Sequence, residues 1–347
     1  MMSKNEEVAE ELKKISEYLS TWDPSIDTTY DKVKGTIGNI NKIFDLSDEW
    51  TEIVEDVLRY QSFLGTTVHY REHFIHQFEV FKLGYVIINR NKKIKEKLEG
   101  YLNADIDDVI KCWFLTSISH DSAYIIEGTP ICVEELLNKI FKGKVRCVFL
   151  FEPSRVQGFE YHKIKLIDLI AEKLKLTKEQ TSELYGKISD ILSDKKNHGL
   201  LSAIILLNRL ITPGDESNKK IEYEAALAVA LHTEDVYKEL HDLIDRFLTF
   251  EDIPFAFLLM YCDNAQEWGR PSMMSLLNQS VNDKRVGVKL EDIDVKDEVK
   301  INLRYSKKIN DIPKPDKYWG ARDVCFFIYH LVDGSPDPFE RLIFIIP

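Results

Sequence analysis

Imidazole and carboxylate groups recur in this chain at the ends of hydrophobic helical stripes, where a titratable side chain is costly unless it is paired or bound to a metal. The stretch 66–89 carries His69, His73 and His76, and the same rhythm of four and three continues through Val80, Leu83 and Ile87. Its neighbouring stripe, Phe74, Phe78, Phe81 and Tyr85, is apolar. That helix is therefore greasy over more than half its circumference, and its histidines face protein. His120 and Asp121 lie at the end of the stripe Ile106, Ile110, Trp113, Ser117. Asn197, His198 and Gly199 open an apolar helix whose small residues Gly199, Ser202 and Ala203 permit close approach of a neighbour. His232 ends the run from Ala225 to Leu231, and Asp263 follows the run from Phe255 to Cys262. An unpaired Asp263 there would have a raised pKa or a cation beside it. Each residue singly also suits a hydrogen-bonded core position. Together they give five helical segments delivering His, His-Asp, His, His and Asp. Such groups suit divalent Fe, Mn, Zn, Co or Ni, and no cysteine competes at these positions.

The elements that must position these groups are mainly helices. From Glu6 to Leu19, apolar residues at Val8, Leu12, Ile15 and Leu19 recur at spacings of four, three and four, the mark of an amphipathic helix. Similar periodicity runs through 30–100, 105–127, 162–193, 198–212, 222–248 and 253–280, broken by polar turns such as Thr212 to Asp215. Val145 to Phe151 has the branched and aromatic content of a short strand. The pattern changes after 285, where Val299 to Tyr305 alternates apolar and polar and Val324–Leu331 and Leu342–Ile346 are short apolar runs. The expected fold is mainly α, a helical bundle with a small C-terminal antiparallel β-rich region. Its parts are an N-terminal helical extension (1–60), a helical metal-binding domain (61–284, with 127–160 a candidate lid) and the β-rich region (285–347).

Composition narrows the setting. The chain has 347 residues, 44% apolar and 30% charged, with 15 Gly and 11 Pro, which excludes collagenous, low-complexity and wholly disordered classes. A formal charge of −12 leaves duplex nucleic acid without a global attraction. Small anions remain open to a metal or a few cationic side chains. Five cysteines, an odd number with no Cys-x-x-Cys, fit free thiols in a reducing compartment. The N-terminus turns acidic at once, and no apolar run approaches the ~18–20 residues that span a bilayer. A cytoplasmic protein without membrane contact is expected.

The order and context of the polar residues resemble the HD-domain superfamily of metal-dependent phosphohydrolases over roughly residues 60–275. His76, followed four residues later by Val80, is similar to that family's first histidine. Ile118-Ser119-His120-Asp121 resembles its signature doublet, and His198 and His232 resemble the additional histidines of its two-metal branches. Tyr261-Cys262-Asp263 resembles its closing aspartate, and Arg270 stands where such proteins often place an arginine. Two features depart from the pattern. Ser122-Ala123 stands where several branches have Gly-Lys, so Arg270, Lys195 or Lys196 would have to contact phosphate. His232 is followed by Thr233 where the cyclic-dinucleotide branch has a second histidine, which leaves branches that cleave nucleotide or dinucleotide polyphosphates closer.

The resemblance implies a first metal held by His76, His120, Asp121 and Asp263, with Asp121 bridging to a second held by His198 and His232. The bridging hydroxide would attack a phosphoester or phosphoanhydride bond of a small, nucleotide-like substrate. Gln266 and Arg270 follow Asp263 by three and seven positions, on one face if the helix persists, and are candidate substrate contacts; a structural salt bridge serves Arg270 equally well. Glu267 either orients a ligand histidine or is a solvated surface carboxylate. His73 is the candidate proton donor to the leaving group, with His69 and a space-filling role as the alternatives. The competing function is a non-catalytic nucleotide sensor or interaction module on the same scaffold, its C-terminal sheet regulatory or oligomerising in a homo-oligomer.

Overall fold

The computed structural model describes residues 2–15, 30–47, 50, 52, 73–124, 126, 156–195, 197–214, 218–244, 246, 248–266, 288–295, 299–305, 320–321, 324–331 and 339–345. Among these the chain is mainly helical, with eleven α-helices. In chain order they are α1 (Lys4–Ile15), α2 (Tyr30–Ile43), α3 (His73–Arg90), α4 (Lys92–Leu102), α5 (Ile106–Ser119), α6 (Phe159–Leu174), α7 (Lys178–Asp190), α8 (His198–Leu210), α9 (Lys220–Leu231), α10 (Glu234–Ile244) and α11 (Pro254–Ala265). A π-helical turn, Ile191–Lys195, extends α7. The region 145–151, expected to be a strand, and the candidate lid up to residue 155 lie outside the described residues.

Helix breaks are more frequent than the apolar rhythm suggests. The expected helix 162–193 is two helices, because Lys175 takes a left-handed conformation (φ 55) and Thr177 starts α7 with a reciprocal capping box to Gln180. The expected helix 222–248 also divides, since α9 stops at His232 and Thr233 accepts the first turn of α10 from Tyr237. Pro254 opens α11, which ends at Ala265, well short of the expected 280. Asp105 caps α5 by accepting from the Asp108 amide, and Asn197 caps α8 by accepting from the Leu200 amide.

The helices that carry the candidate ligands are those that pack on one another. α9 is buried from Ala225 to Leu231 and lies against α5, α6, α8 and α11, while α3 lies against α5 and α11. The apolar stripe Phe74, Phe78, Phe81 and Tyr85 of α3 is buried as expected. Gly84 allows α3 to approach α5 closely, since a β-carbon there would sit inside the Trp113 indole, whose Nε1–H donates to the Phe81 carbonyl at 2.9 Å. The strands β1 (Val288–Val295), β2 (Val299–Tyr305), β3 (Gly320–Ala321), β4 (Val324–Leu331) and β5 (Phe339–Ile345) form one antiparallel sheet in the order β1-β2-β5-β4-β3. Val295 and Val299 are buried, and the Tyr261 hydroxyl of α11 donates to the Val299 carbonyl at 3.4 Å. No helix among the described residues is long and apolar enough to cross a membrane.

Candidate metal centre

Five separate segments bring their polar groups to one place. α3 supplies His76 from its first turns, the turn after α5 supplies His120 and Asp121, α8 begins with His198, His232 caps α9, and Asp263 stands two residues before the end of α11. One atom from each of His76, His120 and Asp121 lies within 4.8 Å of the other two, and the same holds for Asp121, His198 and His232. These five side chains could hold a metal ion, and Asp121 belongs to both groups.

The carboxylate of Asp121 divides its two oxygens between the groups. Oδ2 lies 4.0 Å from His76 Nε2 and 3.6 Å from His120 Nε2, whereas Oδ1 lies 3.6 Å from His198 Nε2. Asp263 Oδ1 joins the first group at 2.8 Å from His76 Nε2 and 3.8 Å from His120 Nε2. Atoms bound to one cation at ~2.1 Å are about 3.0 Å apart at right angles, about 3.4 Å at the tetrahedral angle and about 4.2 Å when opposed. Every measured separation lies close to that range. Most are also too long for hydrogen bonds, and His120 Nε2, fully buried, has no hydrogen-bond partner among the described residues. A buried ring nitrogen 3.6 and 3.8 Å from two carboxylates, without a hydrogen bond, fits a cation between them.

Three imidazoles are turned the same way. His120 Nδ1 donates to the Ser117 carbonyl at 2.8 Å, and His232 Nδ1 donates to the Val229 carbonyl at 2.5 Å. Each acceptor is three residues back, in the last turn of the helix that the histidine caps, where carbonyls lack an intrahelical partner. His76 Nδ1 pairs with Gln266 Oε1. With the proton on Nδ1, the Nε2 lone pair of each ring points inward, the orientation a metal ligand needs. The C-terminal ends of α5 and α9 also bring negative helix-dipole potential to the centre, which favours a cation.

The electrostatics agree. Burial lowers the pKa of His120, but Asp121 and Asp263 outweigh it and lift the imidazole to about 9. Burial, with His198 and His120 alongside, pushes His232 down to about 4. Burial raises Asp263, yet His120 and His76 hold it well below the usual carboxylate range. The carboxylate end of the cluster thus retains positive charge and the imidazole end sheds it. Exposure identifies the open side, because the His198 and Asp263 side chains keep 22% and 31% of their surface while His76 and His120 keep 1% or less. The Tyr124 ring, 5.6 Å from that of His198, stands on that side.

No family model matches the chain, and neither does any curated protein or solved structure.

All six expected ligands converge, but the supporting residues differ from expectation. Gln266, a candidate substrate contact, is 1% exposed with its oxygen against His76 Nδ1, facing a candidate ligand and not the open side. The reason is that α11 ends at Ala265, which frees Gln266 to turn back. His73 opens α3, and Lys195 ends the π-helical turn, but their side chains lie outside the described residues, as do His69, Lys196, Glu267 and Arg270 altogether. Of the other histidines, His162 is fully buried and His241 half-buried.

A further set of contacts gave no strong signal in the sequence. Asn197 Nδ2 donates to Thr233 Oγ1 at 3.1 Å, so the residue before His198 is tied to the residue after His232. Gly199 makes room for this contact, as a β-carbon there would meet the Thr233 methyl at 2.6 Å and His232 at 3.1 Å. Ser202 Oγ accepts from the Ala123 amide at 2.9 Å and fixes the turn that carries Asp121. The small residues of α8 were the legible part of this arrangement.

Proposed function

We propose that the chain is a metal-dependent phosphohydrolase of the HD type that binds two divalent transition metal ions and cleaves a phosphoester or phosphoanhydride bond of a nucleotide-like substrate. The single observation that supports this most is the division of the two Asp121 oxygens between two histidine groups. Bound divalent cations supply Lewis acidity to a phosphoryl group and lower the pKa of coordinated water to about 7.

The residues of the chain do the rest. His76, His120 and Asp263 would hold one ion and His198 and His232 the other, with Asp121 available to both. Ser117, Val229 and Gln266 lock the imidazole tautomers. The side bearing His198, Asp263 and Tyr124 admits the substrate. His73, one turn before His76, is the candidate donor of a proton to the leaving group, and Arg270, Lys195 and Lys196 are the candidates to hold phosphate oxygens. The buried free thiols of Cys112 and Cys262 support a reducing, cytoplasmic setting, and residues 285–347 are read as a small β-rich unit.

The test is phosphate release from nucleoside mono-, di- and triphosphates, cyclic nucleotides and dinucleoside polyphosphates. Chelation should abolish turnover, Mn or Fe should restore it, and Asp121→Ala should lack it while folding normally. Metal-loaded protein that turns over none of these substrates would overturn the catalytic reading in favour of a binding module.

A further inference from the structure

The two halves of the metal centre are unequal. His76, His120, Asp121 and Asp263 face one another in the first half, and Asp121, His198 and His232 in the second. The first half therefore offers two carboxylates and two imidazoles, whereas the second offers two imidazoles and a share of the same Asp121. The imidazoles of the first half are sealed, with 1% or less of the His76 and His120 side chains exposed, while His198 keeps 22%. The buried nitrogen without a hydrogen-bond partner, His120 Nε2, also belongs to the first half. Asp263, at 31%, borders the open side on which His198 stands.

Charge sharpens the difference. Imidazoles protonated on Nδ1 alone are neutral ligands, so Asp121 and Asp263 are the anionic donors of the centre among the described residues. One divalent ion in the first half is balanced by those two carboxylates. A second ion leaves two positive charges without a counterpart beside buried side chains, and an uncompensated charge away from water is costly. The C-terminal ends of α5 and α9 offset about one of these charges at most, since each helix end contributes about half an elementary charge. The remainder has to come from an anion on the open side. A phosphate group, with about 1.5–2 negative charges near neutral pH, supplies it.

We propose that the chain binds one divalent ion firmly through His76, His120, Asp121 and Asp263, and holds its second, at His198 and His232, firmly only together with a phosphate group. This rests on the two-ion reading of the centre and adds to it that loading of the second half and capture of phosphate are one linked event. Without phosphate the chain is a one-ion species at limiting metal. By linkage, the second ion and phosphate raise each other's affinity by the same factor.

The experiment is titration of the metal-free full chain with manganese(II), the free ion read from its electron paramagnetic resonance signal, with excess inorganic phosphate or with potassium chloride at matched ionic strength. Two classes of site should differ by at least about tenfold, since loss of an outer contact to a ligand alone costs about 10–100-fold. Phosphate should tighten the weaker class by about 5–150-fold, the usual span of coupling between two ligands, and leave the tighter class within about twofold. AMP should act in the same direction, and adenosine, which lacks the phosphate, should have no effect. His198→Gln should keep the tight class and lose both the weak class and the response to phosphate; should that variant fail to fold, the phosphate dependence of the unmodified chain decides alone. Two sites of equal affinity, or a weak class indifferent to phosphate, would overturn the inference and spare the two-ion reading. A single ion at saturation with phosphate present, or none, would overturn both. The expected binding in a chain without turnover would uphold the inference and remove only the catalytic reading.

Discussion

Gln266→Leu separates two roles for a residue that never touches the open side of the centre. The substitution keeps the side chain's bulk but removes the oxygen that accepts from His76 Nδ1, leaving a buried N–H unsatisfied at about 1–3 kcal/mol. Loss of an outer contact to a metal-bound histidine lowers metal affinity about 10–100-fold, or about 1.4–2.7 kcal/mol, so the two magnitudes agree. The assay is competition of the purified protein with a chelator of known affinity, read as released metal, alongside urea unfolding. Gln266→Leu should weaken the more tightly buried ion by that factor, and Gln266→Glu, which keeps an acceptor, should restore it. If Gln266 instead contacted substrate, both variants would hold metal normally and only the KM would rise. Metal affinity within about twofold of the parent in Gln266→Leu would refute the orienting role.

Three other outcomes follow from the same geometry. In protein stripped of metal, His120 is raised to about 9 from 6.5, so its contribution to stability is full below about 6.5 and is lost as pH rises through 9; His232, lowered to about 4, costs stability as pH falls from 6.5 towards 4. Urea unfolding in chelator should therefore place the cluster's stability maximum near pH 6.5, and His120→Asn should remove the decline on the alkaline side. Thr233→Val should cost about 1–3 kcal/mol and loosen the ion held by His198 and His232, as read by metal content, whereas Thr233→Ser should keep both. Gly84→Ala, which drives a methyl into the Trp113 ring, should destabilise by about 1–3 kcal/mol or more in thermal unfolding, although it touches no ligand.

The residues that converge at the candidate centre were legible because each is a polar interruption of an apolar helical rhythm, and burial makes such interruptions conspicuous. The helix interiors were legible for the same reason. Their ends were less so: Lys175 and the step from His232 to Thr233 stop helices without glycine or proline, where local contacts override propensity. What orients the histidines was hidden more deeply. Ser117 and Val229 act through main-chain carbonyls, which any side chain would supply, although a histidine capping a helix is a signal that could have suggested them. Gln266 was singled out for the correct locality and the wrong partner, since its contact to His76 spans 190 positions and depends on where α11 stops.

The most direct test of the shared aspartate is anomalous diffraction from crystals grown with manganese. Two peaks about 3.5–4 Å apart are expected, one beside His76, His120 and Asp263 and one beside His198 and His232, with Asp121 reaching both. Manganese absent from this cluster, or bound with Asp121 turned away from it, would contradict the account.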